Sequence, residues 1–308
     1  MALGAIMYKS DFCIAGAFRD VYLFRDYLRL KALFLLVCFL ALFIYLIRYF
    51  NLISSYPPSF FGEPSVAGLL GGAIFGIGMV LGGGCLLGTL YKLGSGRTVS
   101  AITFCGVLFG EFVSASFYPA FRSFAASTVL FKNKIALEQV VGAAAPVLVT
   151  SALVALLAIR WVKKGQWSQP AYARGYLSLW KASLLMAIVI TLLVAFSGRP
   201  PAVSTGYAKL SGLLGALFVP ALTGKLVFFH ARSPKFLYGR IMDGGAGLGI
   251  DSVALTQVPL MAGIVGGSFL SSLRLGEFRI TRLPPARQAF SAFSGGVLMA
   301  AGALMAAG

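Results

Sequence analysis

The chain has 308 residues, 58% of them hydrophobic and only 11% charged, with a formal net charge of +17 and a mean hydropathy of +0.87. A soluble domain carries about 25% charged residues, so this composition excludes a water-soluble fold, which would expose large apolar patches. The positive charge lies in short loops between apolar runs, which fits orientation in a bilayer and contact with anionic lipid, not nucleic-acid binding. Attraction of an anionic substrate is compatible with the same charge. The apolar runs are continuous and not alternating, so the expectation is an all-α polytopic membrane protein.

In chain order, residues 1–30 interleave apolar residues with Arg19, Asp20, Arg25, Asp26 and Arg29. That is too charged for an ordinary span and predicts a short helix entering the membrane from one side. Residues 32–50 form a clean span. Pro57, Pro58 and Pro64 mark a loop. Residues 66–91 form a long glycine-rich run, and residues 99–121 another, with Glu111 inside. Residues 139–161 follow, then the most basic loop, from Arg160 to Lys181, assigned to the cytoplasm. Residues 182–197 make a short span closed by Arg199-Pro200-Pro201. The run 210–229 is interrupted by Pro220, Gly224 and Lys225. The segment 236–272 opens with GRIMDGGAGLGID, where Asp243 and Asp251 can cap helices or line a path. Residues 286–308 close the chain. Together these make about eight spans.

Two stretches look duplicated. LLGGAIFGIGMVLGGGC, ending at Cys85, resembles FSGGVLMAAGALMAAG, ending at Gly308. Aligned without gaps, Gly71, Gly72, Gly78 and Gly84 fall on Gly295, Gly296, Gly302 and Gly308. Each stretch follows a Glu and a Pro, and an earlier polar segment precedes each. This predicts two pseudosymmetric, inverted-repeat halves around a central path, about 1–135 and about 205–308, with short re-entrant or broken helices. The plain alternative is that glycine-rich membrane helices resemble one another because they pack closely.

The densest signal is GMVLGGGCLLGTLYKLGSGR, residues 78–97. Glycine costs about 1 kcal/mol per helix position relative to alanine, so its clustering marks a close approach or a broken helix. A break exposes backbone N–H groups and the positive end of a half-helix to an anion. Gly83, Gly84 and Gly88 surround Cys85, a soft sulfur with a weak donor. Lys92 and Arg97 are placed to draw an anion inward. A tight helix seam with a buried cysteine is the competing reading. A second, weaker signal is DFCIAGAFRD, which sets Cys13 ahead of Gly16 and Arg19. Cys38 and Cys105 read as small core residues. No metal-ligand spacing occurs, and no cofactor is expected. Glu111 is an ionisable group at membrane depth, a functional candidate by default, although an interfacial or structural place explains it equally. Lys225 and His230 read mainly as a snorkelling lysine and a loop residue.

FC-x-x-GAFRD together with GGC-x-x-G-x-x-Y-x-x-G-x-G resembles the YeeE/YedE family of bacterial membrane proteins. The stretch EFRITRLPPARQAFSAFSGGVLMAAGALMAAG is similar to the start of that family's second-half motif. The resemblance implies an inner-membrane transporter of two pseudosymmetric halves. It implies uptake of thiosulfate or a related sulfur species, passed between cysteines by S–H···S hydrogen bonds, with Cys13 and Cys85 as two of those thiols. It also implies, for some members, selenium species as substrate or a cytoplasmic sulfur-carrier protein as partner. Gly308 aligns one position before a further cysteine in the family pattern, so the second half is expected to be cut short. On these grounds the substrate-path candidates are Cys13, Cys85, Gly83, Gly84, Gly88, Arg19, Lys92 and Glu111. A membrane thiol-redox protein remains the alternative from another class, and transport of another small anion the alternative within this one.

Overall fold

The computed structural model describes residues 1–50, 64–130, 145–163, 175–197, 200–230, 245–249 and 251–307. These form α1 (Ala2–Ser10), α2 (Ile14–Phe24), α3 (Leu28–Tyr49), α4 (Val66–Leu81), α5 (Leu86–Gly94), α6 (Thr98–Ser116) and α7 (Tyr118–Ser127). They continue with α8 (Ala145–Lys163), α9 (Leu179–Ser197), α10 (Val203–Phe218), the short α11 (Pro220–Thr223), a 3-10 turn (Val227–His230), α12 (Ser252–Arg274) and α13 (Ala286–Ala307). Most of the 57–58 loop, the centre of the basic loop, Asp243 and Gly308 lie outside the described residues, as does the side chain of His230.

Six helical segments among the described residues are long and apolar enough to cross a bilayer: Leu28–Ile47, Val66–Gly94, Thr98–Ser116, Leu179–Ser197, Ser252–Arg274 and Ala286–Ala306. They coincide with six of the apolar runs. The chain is therefore a multi-pass, all-α membrane protein. Its outer surface agrees: Leu69, Val80, Phe196 and Phe218 are each at least three-quarters exposed. Such side chains are at home against lipid tails.

The sequence expectations needed refinement at three places. The charged segment 1–30 is two short helices, because Asp11 turns left-handed (φ 45°) and closes α1, a conformation that Asp tolerates better than most residues. The run 99–121 is divided at Phe117, and Pro119 sits in the first turn of α7, where a proline costs no hydrogen bond. The run 210–229 begins earlier, at Val203, and ends at Phe218. Pro220 lacks the N–H that would continue the ladder. At 16 residues, α10 is about 24 Å long, short of the roughly 30 Å hydrocarbon core.

α13 packs between α4 and α6. Its contact with α4 is a glycine seam. A Cβ at Gly71 would stand 2.8 Å from the Gly302 carbonyl oxygen, and one at Gly78 would stand 2.8 Å from the Gly295 carbonyl oxygen. α1 does not lie on the membrane surface. It packs inside the bundle against α12 and α9, burying Leu3, Ile6 and Met7. That position brings the α1–α2 junction to the same buried cluster as the α4–α5 junction.

Candidate functional site

Two chain breaks meet in the core. In the first, α1 ends at Asp11, and Cys13 takes an extended conformation as the N-cap of α2. In the second, α4 ends at Gly82, Gly83 adopts a positive φ of 70° that a side chain would strain, and Cys85 becomes the N-cap of α5. The Cys85 sulfur accepts the Gly88 N–H at 3.3 Å. The Cys13 and Cys85 sulfurs lie 3.9 Å apart, and either can donate. Both residues are buried, at 4% and 7% exposure, and both thiols are free. A disulfide requires about 2.05 Å, so the contact is non-covalent.

The glycines earn their places locally. A Cβ on Gly88 would stand 2.8 Å from the Cys13 sulfur and 3.4 Å from the Cys85 sulfur. Alanine there would occupy the space the two thiols share. Lys92 folds back along α5 so that its ammonium donates to the Gly83 carbonyl at 2.6 Å. The cation thus sits at the break itself and not beyond it. The N-termini of α2 and α5, with Lys92 beside them, make this junction positive without a permanently charged group on either thiol.

Of the expected path residues, Cys13, Cys85, Gly83, Gly84, Gly88 and Lys92 come together around this junction. Arg19 does not. Its guanidinium points to Asp20 at 3.0 Å, and its side chain is 56% exposed. Glu111 is 2% exposed on α6 and makes no hydrogen bond to either thiol; the side chain that relates to both is Tyr207. That phenol donates to the Leu86 carbonyl at 3.1 Å, packs its ring on Phe104, and lies in electrostatic range of both Cys85 and Glu111.

Several contributors were not among the expected path residues. Tyr91 of α5 donates to Asp11 at 3.0 Å. Arg29 of α3 bridges Asp11 at 2.9 Å and Asp20 at 2.8 Å. These bonds tie the first break to the second. Asp11, Arg29 and Tyr91 also line a cavity of about 910 Å³, whose other walls include Tyr8, Tyr176 and Glu277. Both tyrosines donate to Glu277, at 2.8 and 2.6 Å. Burial and then the Glu277 hydrogen bond push the Tyr176 phenol up to about 12. Elsewhere, Lys209 of α10 is 1% exposed and pairs with Asp251 at 2.6 Å. Asp251 also N-caps α12, accepting from Ala254 at 2.9 Å and from Gly245 at 3.1 Å. Burial works against the Asp251 carboxylate, but Lys209 and the two backbone donors hold it below its ordinary value. A lone lysine in the apolar stretch TGYAKLSG was the available signal for this pair.

A family model described as sulphur transport matches residues 9–308. The thiosulfate transporter TsuA of Spirochaeta thermophila is 27% identical over 313 residues, covering 99% of this chain and 85% of that protein. The thiosulfate transporter TsuA of Escherichia coli is 33% identical over 94 residues, covering 30% of this chain and 26% of that protein.

Proposed function

The chain belongs to the sulphur transport family, and from that premise we propose that it takes up thiosulfate or a closely related sulfur-containing anion past Cys13 and Cys85. The observation that carries this reading is the buried pair of thiols 3.9 Å apart, each capping the N-terminus of a half-helix. The names of the two relatives agree with the substrate class.

An anion leaving water must find donors to replace its hydration. The two thiols and the first N–H groups of α2 and α5 offer donors that are individually weak. Weak, multiple contacts favour release as well as capture. An arginine at the same place would hold the ion too firmly. A thiosulfate sulfur matches the thiols in size and polarizability, so S–H···S hydrogen bonds pass it along without any covalent step. A dianion entering against an inside-negative potential of roughly 100 mV climbs about 4.6 kcal/mol, so its entry requires coupling or rapid consumption inside.

The setting is the bacterial inner membrane. Lys9, Arg29, Arg97 and Arg279 line one cavity, and the face on which it opens is assigned to the cytoplasmic side by the positive-inside rule. A sulfur-carrier protein receiving the product would meet this face. The two halves, about 1–135 and about 205–308, are related by a local two-fold. Supporting this, the glycine seam is reciprocal under the sequence alignment. Gly71 faces Gly302 and Gly78 faces Gly295, while Gly71 aligns with Gly295 and Gly78 with Gly302. Each pair maps onto the other, as an isologous contact requires.

The test is growth of an uptake-deficient strain on thiosulfate as sole sulfur source. Cys85→Ala is expected to abolish growth with protein still present in the membrane. Normal growth removes the thiol path. Mass spectrometry of the same membranes under non-reducing conditions separates a redox role, which demands a Cys13–Cys85 disulfide.

A further inference from the structure

The thiol junction accounts for how an anion is held but not for what drives it inward. The strongest unused feature near it is Glu111. Its side chain is 2% exposed in the C-terminal half of α6, and among the described residues it makes no hydrogen bond or ion pair. An ionised carboxylate in that position would be buried in hydrocarbon surroundings with nothing to offset its charge, a costly state.

The titratable and charged groups on the elements packed against α6 are few. From α10 come Tyr207 and Lys209, the latter already paired with Asp251. From α5 come Tyr91, bonded to Asp11, and Lys92, bonded to the Gly83 carbonyl; Cys85 caps that helix. From α13, the residues against this part of α6 are Val297 and Ala300, which meet Gly110, and its one charged residue, Arg287, lies at the helix's opposite end. α7 offers Tyr118, packed on Phe228, and Arg122, and the 3-10 turn ends at His230. Of these, Tyr207 is the one whose surroundings join Glu111 to the thiols. It lies in electrostatic range of Glu111 and of Cys85 and is bonded to Leu86, the residue after that cysteine.

We propose that Glu111 is the proton-binding site that couples anion uptake to inward proton movement. This rests on the transport reading above and adds its energy source. The linkage is electrostatic and reciprocal. An anion held at Cys13 and Cys85 strengthens the grip of Glu111 on its proton. A deprotonated Glu111 repels an anion from the junction. Such mutual dependence is coupling in the thermodynamic sense. One proton is taken from the outer side and released inside per cycle; it cancels one of the dianion's two charges and so halves the electrical climb, the proton concentration gradient supplying the rest. The anion keeps all its bonds, and no electron is transferred.

The test uses the full chain reconstituted in liposomes with labelled thiosulfate. Two rates are measured: exchange against internal thiosulfate at equal pH, and accumulation driven by an inward proton gradient with the potential clamped at zero. In the wild-type protein the gradient is expected to raise accumulation at least about 5-fold, and added thiosulfate to acidify the lumen as read by a trapped pH dye. In Glu111→Gln the ratio of gradient-driven accumulation to exchange is expected to fall to about 1. Wild-type exchange that is insensitive to the gradient, without lumen acidification, overturns the coupling while leaving the transport reading intact. An unchanged ratio in Glu111→Gln moves the proton site elsewhere and also overturns it. Absence of wild-type exchange removes the transport reading and this inference together. If Glu111→Gln does not fold, absence of the wild-type dye signal still overturns the coupling, and Glu111→Asp, which shortens the side chain but keeps the carboxyl, tests the site: the pH dependence of its gradient-driven uptake is expected to shift, and an unshifted profile overturns the assignment.

Discussion

Two helix starts in this molecule are capped by side chains that accept the same kind of backbone donor, yet they present opposite chemistry. At α12, Asp251 takes the Ala254 N–H at 2.9 Å and is neutralised by Lys209 at 2.6 Å. At α5, Cys85 takes the Gly88 N–H at 3.3 Å and faces a second thiol. A helix N-terminus is a natural seat for negative charge. At α12 that seat is filled by the protein's own carboxylate. At α5 a neutral, polarizable cap leaves it open to an anion that arrives and departs. On the proposed reading, the difference separates a structural terminus from a transporting one.

The sharpest way to break this comparison is to give α5 the cap of α12. Cys85→Asp places a resident carboxylate at the junction beside Lys92, and thiosulfate uptake in liposomes is expected to fall below about a tenth of wild type. Retained uptake would show that the open seat is not what matters. A smaller effect is expected from Gly88→Ala. Its new methyl group would stand 2.8 Å from the Cys13 sulfur, and overpacking of this kind costs about 1–3 kcal/mol. Uptake should drop by roughly tenfold with unchanged membrane levels. The α12 side is sharpened by Asp251→Asn, which leaves Lys209 buried without its counter-ion. Transport should be affected only through stability, by about 3 kcal/mol, seen as a lowered midpoint of thermal unfolding in detergent. Because the carboxyl is held below its ordinary value of 3.8, the pair's contribution is present above that pH and lost as pH falls through the lower folded value. An unshifted midpoint would mean the pair is idle.

The membrane class and six of the spans were legible in the sequence because both rest on long apolar runs, which local composition determines. Cys85 and its glycines were legible for a related reason: three successive glycines declare a broken helix. The partnership of that break with residues 72 positions earlier was legible only through the family resemblance, not from local composition. Cys13 sits in a charged segment that composition assigns to the membrane edge. It enters the core because α1 buries Leu3, Ile6 and Met7 against α12, a long-range packing event without a local signature. The same limit hid Tyr207 and the Asp11–Arg29–Asp20 bridge, whose members lie on different helices. Arg19 illustrates the converse. Its place in the motif suggested the path, but its nearest opportunity for charge pairing is the very next residue, Asp20.

The bond from Tyr91 to Asp11 has a mechanical consequence. It fastens α5 to the turn that precedes Cys13, and Arg29 anchors the same turn to α3. A tilt of either half-helix therefore has to break or carry this bond. The spacing of the two thiols is thus braced from outside the pair, by contacts that neither sulfur makes.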